Sequence, residues 1–305
     1  MSPLFSIIIV NWNTRQLTAK CITSVYEKNS LTSFEIIVVD NASSDGSIPW
    51  LQQQFPQVRF FCNATNTGFA RANNQAIAAA QGEMLLLLNS DAVLKTPEPL
   101  LRLSRCFNEC PETAVIGAKL LFPDGRIQSV GRDFLTLKKC IQQQLLFSAA
   151  TLRPRKDPGT RPLQADYVDG AFLAVRKTVI DQVGKLNESY FMYAEDMEWC
   201  ARIRAAGYTI VVLPEIEVVH HHAASSRQHF ARMLIESASN VSRFIYIQEG
   251  PRHAKAAFIV HLLGMALRIP ISLFRKPGLT GAYWQGLRRA LACLGDLDAI
   301  FQEAP

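Results

Sequence analysis

Short apolar runs alternate with longer amphipathic stretches through the first hundred residues of the chain. Each run holds about four to six residues, many of them Ile or Val, and such runs are typical of strands buried on both faces. The stretches between the runs have the periodicity of helices, which would cover those faces. The pattern therefore predicts an α/β fold with parallel strands. The runs are residues 5–10, 34–39, 58–61 and 84–88.

Polar residues follow all four runs. In a parallel sheet the ligand lies beyond the carboxyl ends of the strands, so the side chains at these ends are candidates for binding. One polar residue after a strand indicates only a solvated loop, whereas four that converge favour a site. The residues are Asn11, then Asp40 and Asn41, then Asn63 and Asn66, then Asn89, Ser90 and Asp91.

The middle of the chain predicts further strands and one helix. A Pro-Asp-Gly turn at 123–125 interrupts the apolar segment 115–127 and indicates a hairpin, so we expect antiparallel strands and a mixed sheet. The other predicted elements are a loop at 153–163, a strand at 167–175, a helix at 195–206 ended by Gly207, and a strand at 208–213.

Beyond residue 226 the pattern changes to three long helical segments, residues 228–248, 252–274 and 281–301. We expect a first domain at 1–226 and a helical region at 227–305. The basic residues concentrate in this region, since residues 225–289 hold ten Lys or Arg and two Glu, a balance of +8, whereas the whole chain carries +6.

The most apolar part of the tail, residues 256–267, lies between Lys255 and Arg268. At about a dozen residues it is shorter than the roughly 20 that cross a bilayer. Basic residues beside apolar ones suit a helix on an anionic membrane surface, so we expect peripheral attachment to a membrane. Packing against the first domain or another subunit is the alternative. No nucleic-acid-binding module accompanies the basic residues, and no nucleic-acid partner is expected.

Composition and motifs exclude several classes of protein. With 305 residues, 49% hydrophobic and 19% charged, the chain is globular rather than disordered or collagen-like. Seven scattered cysteines without a CxxC pair predict neither a disulfide framework nor a zinc site, and they favour the cytosol. No positive residue precedes the apolar run at 4–10, so we expect a buried strand there rather than a signal sequence. The dinucleotide, P-loop and nucleophile-elbow motifs do not occur, which disfavours dehydrogenases, P-loop NTPases and α/β-hydrolases.

Five segments of the chain, in order, resemble glycosyltransferase family 2, especially its rhamnosyltransferase-like members. The resemblance covers residues 5–226 and covers the helical tail poorly. It implies a GT-A fold, with a nucleotide-sugar half at about 1–115 and an acceptor half at about 116–226. It also implies a nucleotide-sugar donor, a divalent metal and inversion at the anomeric carbon. The segments are SIIIVNWN at 6–13, VVDNASSDGS at 38–47, NTGFARANN at 66–74, LNSD at 88–91 and YAEDMEWCAR at 193–202.

The resemblance assigns several residues to the donor. Asp40 matches the residue that binds a pyrimidine base, and a carboxylate can accept from the ring N3–H. Its alternative is a helix N-cap, for which Ser43 and Ser44 are nearer, and Asp45 with Gly46 is a further candidate for the helix entrance. Asn11 lies at an equivalent strand end. Arg71 would contact the base or phosphates, unless it lies on a solvated helix face, and Asp169 would contact donor or acceptor.

The resemblance also implies a metal site for Mg²⁺ or Mn²⁺. Asn89-Ser90-Asp91 stands where the family has DxD, so Asp91 would ligate the metal while Asn89 contacts ribose or a coordinated water, because an amide is a poorer ligand for a hard cation. His220 would be a further ligand. His222 would share its face of a strand and is the alternative.

The carboxylates that open the helix at 195 are the implied catalytic residues. By resemblance Asp196 is the base, Glu195 supports it or contacts the acceptor, and Trp199 lies near the acceptor pocket. Stabilisation of a helix N-terminus is the alternative explanation of the two acidic residues.

At these residues the resemblance implies a metal-dependent, inverting hexosyltransferase, and the basic, apolar tail predicts a position at the cytoplasmic face of a membrane. The subgroup resemblance favours dTDP-rhamnose as donor and a lipid-linked glycan as acceptor, in cell-surface polysaccharide biosynthesis. A UDP-sugar-dependent hexosyl- or N-acetylhexosaminyltransferase is the alternative enzyme, and an inactive nucleotide-sugar-binding protein is the alternative without catalysis. A nucleotidyltransferase is disfavoured, because residues 11–14 replace its glycine-rich basic loop.

Overall fold

A computed structural model of the chain describes residues 2–146, 159–221, 230–297 and 301. Strands β1 to β10 are Phe5–Asn11, Phe34–Asp40, Arg59–Cys62, Met84–Leu88, Ala92–Leu94, Thr113–Leu121, Ile127–Ser129, Leu163–Gln164, Phe172–Arg176 and Thr209–His220. Helices α1 to α10 are Arg15–Lys28, Ser47–Gln54, Phe69–Ala79, Pro99–Glu109, Leu137–Gln144, Lys177–Val183, Glu195–Ala205, Phe230–Glu249, Pro251–Arg275 and Thr280–Ala292.

The strands form one mixed sheet in the order β3-β2-β1-β4-β9-β6-β10-β5, and β7 and β8 pair with β6 and β10. The four strands β3, β2, β1 and β4 are parallel neighbours. Strand β9 is antiparallel to both β4 and β6. The predicted α/β class and the mixed sheet are confirmed, and the first apolar run forms the buried strand β1, as expected.

Burial on both faces explains the continuous apolar runs. Residues Phe5, Ile7, Ile8 and Ile9 of β1 are all 0% exposed, which leaves no solvent face that would require a polar residue. The helices place their apolar residues against this sheet, and Leu100, Leu103 and Phe107 of α4 belong to the same core. The hairpin predicted at 123–125 joins β6 to β7, which pair antiparallel.

Two strands differ from their predicted bounds. Strand β9 begins at Phe172 rather than at 167, because Tyr167 pairs instead with Arg132 in an isolated bridge. Strand β10 is twelve residues long and continues past the predicted end at 213. It contains Pro214 at a shift of the register with β6, and a bulge of this kind tolerates the missing N–H of proline. Of the loop predicted at 153–163, residues 153–158 lie outside the described residues, and its end forms β8.

The chain forms two compact units, and contacts between residues concentrate within each of them. Unit 1 comprises Met1–Asp133, Pro154–Glu188 and Asp196–Ser225, and unit 2 comprises Phe134–Arg153, Ser189–Glu195 and Ser226–Pro305. Two segments that the sequence analysis placed in the first domain, 134–153 and 189–195, therefore group with the C-terminal helices. All seven cysteines are free thiols in this structure.

Unit 2 is a small helical assembly with its own core. Helices α8, α9 and α10 pack through Ala238, Phe258, Leu262 and Ala290, all buried. The last predicted helix ends at Ala292, where a 3₁₀ turn, Cys293–Asp296, follows.

Helix α9 confirms the helical segment predicted at 252–274 to within one residue at each end. It runs for 25 residues, and neither Arg268 nor Pro270 ends it. In the described part of the chain α9 is the helix long and apolar enough to cross a membrane, with a mean hydropathy of 1.9 over its most apolar window. Within this apolar part of the helix, 44% is buried inside the structure.

Candidate active site

The carboxyl ends of β1 and β2 bring Asn11 and Asp40 together, because the two residues face each other in the register of these strands. Asn11 Nδ2 donates to Asp40 Oδ1 at 2.6 Å, and Asp40 Oδ2 accepts from the backbone N–H of Ser43 at 2.8 Å. Both Asn11 and Asp40 are buried. The carboxylate of Asp40 is therefore held in one orientation, and each of its oxygens keeps a second lone pair.

Two threonines connect Asn11 to the end of β4. Thr14 and Thr18 donate their hydroxyls to Asn11 Oδ1 at 2.8 and 2.6 Å. The Thr14 hydroxyl also lies 2.9 Å from that of Ser90, in the Asn89-Ser90-Asp91 segment. The polar ends of β1, β2 and β4 therefore belong to one hydrogen-bonded cluster.

The entrance of α2 explains why Asp45 is not in this cluster. Asp45 accepts from the N–H groups of Ser47, in the first turn of α2, and of Arg15. The N-cap residue is Gly46, with a φ of +74° that suits glycine. Asp45 with Gly46 forms the helix entrance, and Ser43 and Ser44, which the sequence analysis considered as caps, do not form it.

The second group of site residues is the pair Asp91 and His220. Strand β5 pairs antiparallel with β10, and its first residue, Ala92, faces His220. This register places Asp91 Oδ1 3.2 Å from His220 Nε2, with both side chains 9% exposed. Asn89 Nδ2 lies 3.2 Å from the same nitrogen. The structure therefore brings together three residues that the sequence analysis assigned to donor and metal.

The orientation of the His220 ring fits a metal ligand. Its Nδ1 lies 2.8 Å from Gln128 Oε1, which can only accept a hydrogen bond. Nδ1 therefore carries a proton that it donates to Gln128, and Nε2 is the ring nitrogen beside Asp91. Adjacent ligands of an octahedral Mg²⁺ lie about 3 Å apart, which matches the distance between the two atoms.

Asp91 and His220 are the two predicted metal ligands that the structure brings together. Within residues 2–146, 159–221, 230–297 and 301, no group of three or more His, Cys, Asp or Glu side chains is placed to hold a metal. His222, the alternative ligand, lies outside the described residues. Gln128 was not found from the sequence, because its contact with His220 depends on long-range strand pairing.

The third group surrounds Asp169, just before β9. Because β9 is antiparallel to β4, its start meets the carboxyl end of β4, and the N–H of Asn89 donates to the carbonyl of Ala171. Arg132 Nε donates to Asp169 Oδ1 at 2.7 Å. Burial alone would raise the pKa of Asp169, but the Arg132 guanidinium holds it below its usual value. No sequence signal marks Arg132, since its backbone bridge to Tyr167 joins segments distant in the sequence.

Asp196 lies at the N-terminus of α7, next to Asp169. Its Oδ2 accepts from the N–H of Gly170 at 2.9 Å, and its Oδ1 accepts from its neighbour Met197 at 2.8 Å. Burial of the carboxylate, and then the charge of Asp169, raise the pKa of Asp196 to about 6, although the two N–H groups and Arg132 oppose the rise. A carboxylate with such a pKa is suited to proton transfer near neutral pH.

Electrostatic contacts connect the Asp196 region to the Asp91 and His220 pair. Asp169 raises the pKa of Asp196, and the charge of His220 contributes to the lowered pKa of Asp169. The carboxylate of Asp169 therefore interacts with both the proposed base and the proposed metal ligand.

Two residues predicted to act beside Asp196 are buried. Trp199 is 0% exposed, and its indole N–H donates to the carbonyl of Gly184 at 2.8 Å. The indole is therefore a core side chain without exposed surface, and its predicted position near the acceptor pocket stays a prediction. Glu195 is 6% exposed and directly precedes Asp196 in α7.

Arg71 is placed on the exposed side of α3. Its Nε donates to Glu188 at 3.0 Å, and its side chain is 61% exposed. It borders a polar cavity with Asn63, Thr67 and Asn74, and its predicted contact with donor base or phosphates remains a prediction.

Comparison with known proteins gives the family. The model of glycosyl transferase family 2 matches residues 6–178. The chain is 32% identical over 234 residues to the Uncharacterized protein y4gI of Sinorhizobium fredii, covering 73% of this chain and 25% of that protein. It is 28% identical over 239 residues to the N-acetylglucosaminyl-diphospho-decaprenol L-rhamnosyltransferase of Mycobacterium tuberculosis, covering 72% of this chain and 75% of that protein.

A solved structure gives the fold. The mannosyltransferase PcManGT from Pyrobaculum calidifontis, in complex with GDP-Man and Mn²⁺, superposes with a TM-score of 0.56 at 16% identity, covering 97% of this chain and 88% of that one. The structure has the GT-A fold with C-terminal helices. Because the family model matches more than half of the chain, the chain belongs to glycosyl transferase family 2, although it spans only a quarter of the length of the Sinorhizobium protein.

Proposed function

We propose that the chain is an inverting glycosyltransferase that moves a sugar from a nucleotide-sugar donor to an acceptor hydroxyl. The observation that carries the proposal is the position of Asp196. Its carboxylate has a pKa raised to about 6 by burial and by the charge of Asp169, and it accepts from the N–H of Gly170, the residue that follows Asp169. A base and a donor-binding group in one cluster are what a direct transfer requires.

Asp196 is the general base in this proposal. At pH 7 its carboxylate is mostly ionised, and it accepts the proton of the acceptor hydroxyl as the acceptor oxygen attacks the anomeric carbon. The N–H groups of Gly170 and Met197 fix the direction of the carboxylate. Attack occurs opposite the leaving diphosphate, so the configuration inverts without a covalent enzyme intermediate.

Asp91 and His220 would hold a divalent cation, Mg²⁺ or Mn²⁺. When bound, the cation neutralises the charge that grows on the departing nucleoside diphosphate. Gln128 accepts from Nδ1 of His220 and so orients Nε2 toward Asp91. Asn89, whose amide lies beside the same ring, would contact the donor ribose or a coordinated water.

Asp40 and Asn11 would form the base-binding part of the donor site. The remaining lone pairs of Asp40 can accept from the N3–H of uracil or thymine. We propose dTDP-rhamnose as donor and a lipid-linked glycan as acceptor, in cell-surface polysaccharide assembly at the cytoplasmic face of a membrane. The support is the name of the Mycobacterium tuberculosis relative, an L-rhamnosyltransferase that is named for a diphospho-decaprenol substrate.

The test is product analysis with a panel of donors, namely dTDP-rhamnose, UDP-glucose, UDP-N-acetylglucosamine and GDP-mannose, with a prenyl-diphosphate-linked N-acetylglucosamine acceptor. We expect release of the nucleoside diphosphate and a glycosylated lipid of inverted configuration, with dTDP-rhamnose turned over fastest. Faster turnover with a UDP-sugar would show that dTDP-rhamnose is not the donor, while the chain would still be an inverting nucleotide-sugar glycosyltransferase. Donor binding without turnover of any donor would show a nucleotide-sugar-binding protein instead.

A further inference from the structure

Helix α9 carries an apolar stripe that the rest of unit 2 leaves open. The side chains of the stripe are three or four residues apart, so they lie on one face of the helix, over a length of about 22 Å. Their exposed fractions range from 39% at Ile271 to 89% at Phe274. The stripe consists of Ile259, Leu263, Leu267, Ile271 and Phe274.

The side of α9 opposite the stripe is packed. Phe258, Leu262 and Met265 on that side belong to the buried core of unit 2, and Ala257 and Val260 belong to a buried cluster with Cys140 of α5. Helix α5 approaches so closely that a Cβ on Gly264 would lie 2.7 Å from the Gln144 side chain. A helix with these protein neighbours does not present its full circumference to lipid, and the exposed stripe remains available to a partner.

The surface around the stripe is strongly basic. Residues 251–295 contain seven Lys or Arg and neither Asp nor Glu. Arg252 lies in the first turn of α9, and Arg275 and Lys276 follow the stripe at its other end, all of them exposed. Arg288 and Arg289 of α10 are also exposed.

This charge distinguishes between possible partners. In a symmetric dimer the same surface would face itself, and two such basic patches would repel each other. An anionic lipid surface attracts each Lys or Arg, and its acyl boundary accepts the apolar side chains between them. The charge therefore favours a membrane over a second copy of the chain.

We infer that the stripe from Ile259 to Phe274 is a membrane-docking surface, on which α9 lies parallel to an anionic bilayer with these side chains between the headgroups. This inference deepens the proposed attachment to a membrane by naming its surface. It does not depend on glycosyl transfer, and its test does not use activity.

The test is flotation of the full chain with phosphatidylglycerol-containing vesicles and with phosphatidylcholine vesicles. Leu263→Ser/Phe274→Ser should weaken binding to anionic vesicles at least about tenfold, by loss of apolar burial. Arg275→Glu/Lys276→Glu should weaken it by about thirtyfold or more at low salt, and high salt should reduce this difference. The controls are Leu31→Ser, which changes a side chain 70% exposed in unit 1, and Lys20→Glu/Lys95→Glu, which makes the same charge change on exposed residues of unit 1.

The control variants should float like the unmodified chain, and circular dichroism should show that all variants keep their helices. Equal flotation of the stripe variants and the unmodified chain would overturn the inference. So would sedimentation that changes from dimer to monomer in Leu263→Ser/Phe274→Ser without any change in vesicle binding, because the stripe would then be a contact between copies.

Discussion

Oδ1 of Asp91 lies 3.2 Å from Nε2 of His220, although the two residues belong to distant parts of the sequence. The antiparallel pairing of β5 with β10 produces this contact, because Ala92 faces His220 and the N–H of His221 donates to the carbonyl of Asp91. Backbone pairing therefore positions the two atoms that we propose as metal ligands. This preorganisation is the basis of the first prediction.

Gln128→Leu should weaken Mn²⁺ binding about 10- to 100-fold, because the variant removes the acceptor that fixes the proton of His220 on Nδ1. Electron paramagnetic resonance of free Mn²⁺ measures the affinity in the presence of the nucleoside diphosphate. Asp91→Ala should have a larger effect than Gln128→Leu. The exposed Gln16→Leu is the control, and an unchanged Mn²⁺ affinity in both Gln128→Leu and Asp91→Ala would contradict the assignment of the metal ligands.

Trp199→Phe should lower the free energy of unfolding by about 1 to 3 kcal/mol, because it removes buried volume and leaves the carbonyl of Gly184 without its donor. The KM for the acceptor should stay the same, since the indole has no exposed surface. Chemical denaturation and steady-state kinetics check the two expectations. Trp284→Phe, at a position 53% exposed, is the control and should change stability little. A raised acceptor KM with unchanged stability would show that Trp199 acts on the acceptor rather than on the stability of the fold.

The sequence was informative where a pattern is local. The apolar runs predicted the strands, and the polar residues at their ends predicted Asn11, Asp40, Asn89 and Asp91, because the end of a buried strand is visible in the sequence itself. The parallel pairing of β1 with β2 then brings Asn11 and Asp40 into contact.

Long-range pairing produced what the sequence did not show. Strand β10 continues through Pro214 because its partner β6 accommodates a bulge there. Arg132 and Gln128 enter the site only through strand pairing and turns, and no local pattern distinguishes them from other polar residues. Trp199 has the residue type of a sugar-binding side chain, but its burial depends on the packing of α7, which the sequence does not specify.

The rate of transfer should fall as the pH decreases through about 6, because Asp196 is protonated below its raised pKa and cannot accept a proton. Above this pH the rate should reach a plateau. In Asp169→Asn the midpoint should move to lower pH, since the variant removes the negative charge that raises the pKa of Asp196 and leaves the positive Arg132 in place.

Profiles of kcat against pH measure this shift. The control is Asp181→Asn, which changes an exposed carboxylate paired with Lys177 and should leave the midpoint near 6. A midpoint that moves to higher pH in Asp169→Asn would contradict the described electrostatics.

The central claim is that Asp196 removes the acceptor proton, and single-turnover kinetics of Asp196→Asn test it most directly. The amide keeps the size of the side chain but cannot act as a base, so the rate of sugar transfer should fall at least about a hundredfold. The affinity for the nucleotide-sugar donor, measured by calorimetry on the same variant, should change little. A near-normal transfer rate, or a loss confined to donor affinity, would contradict the account and assign the base to another carboxylate.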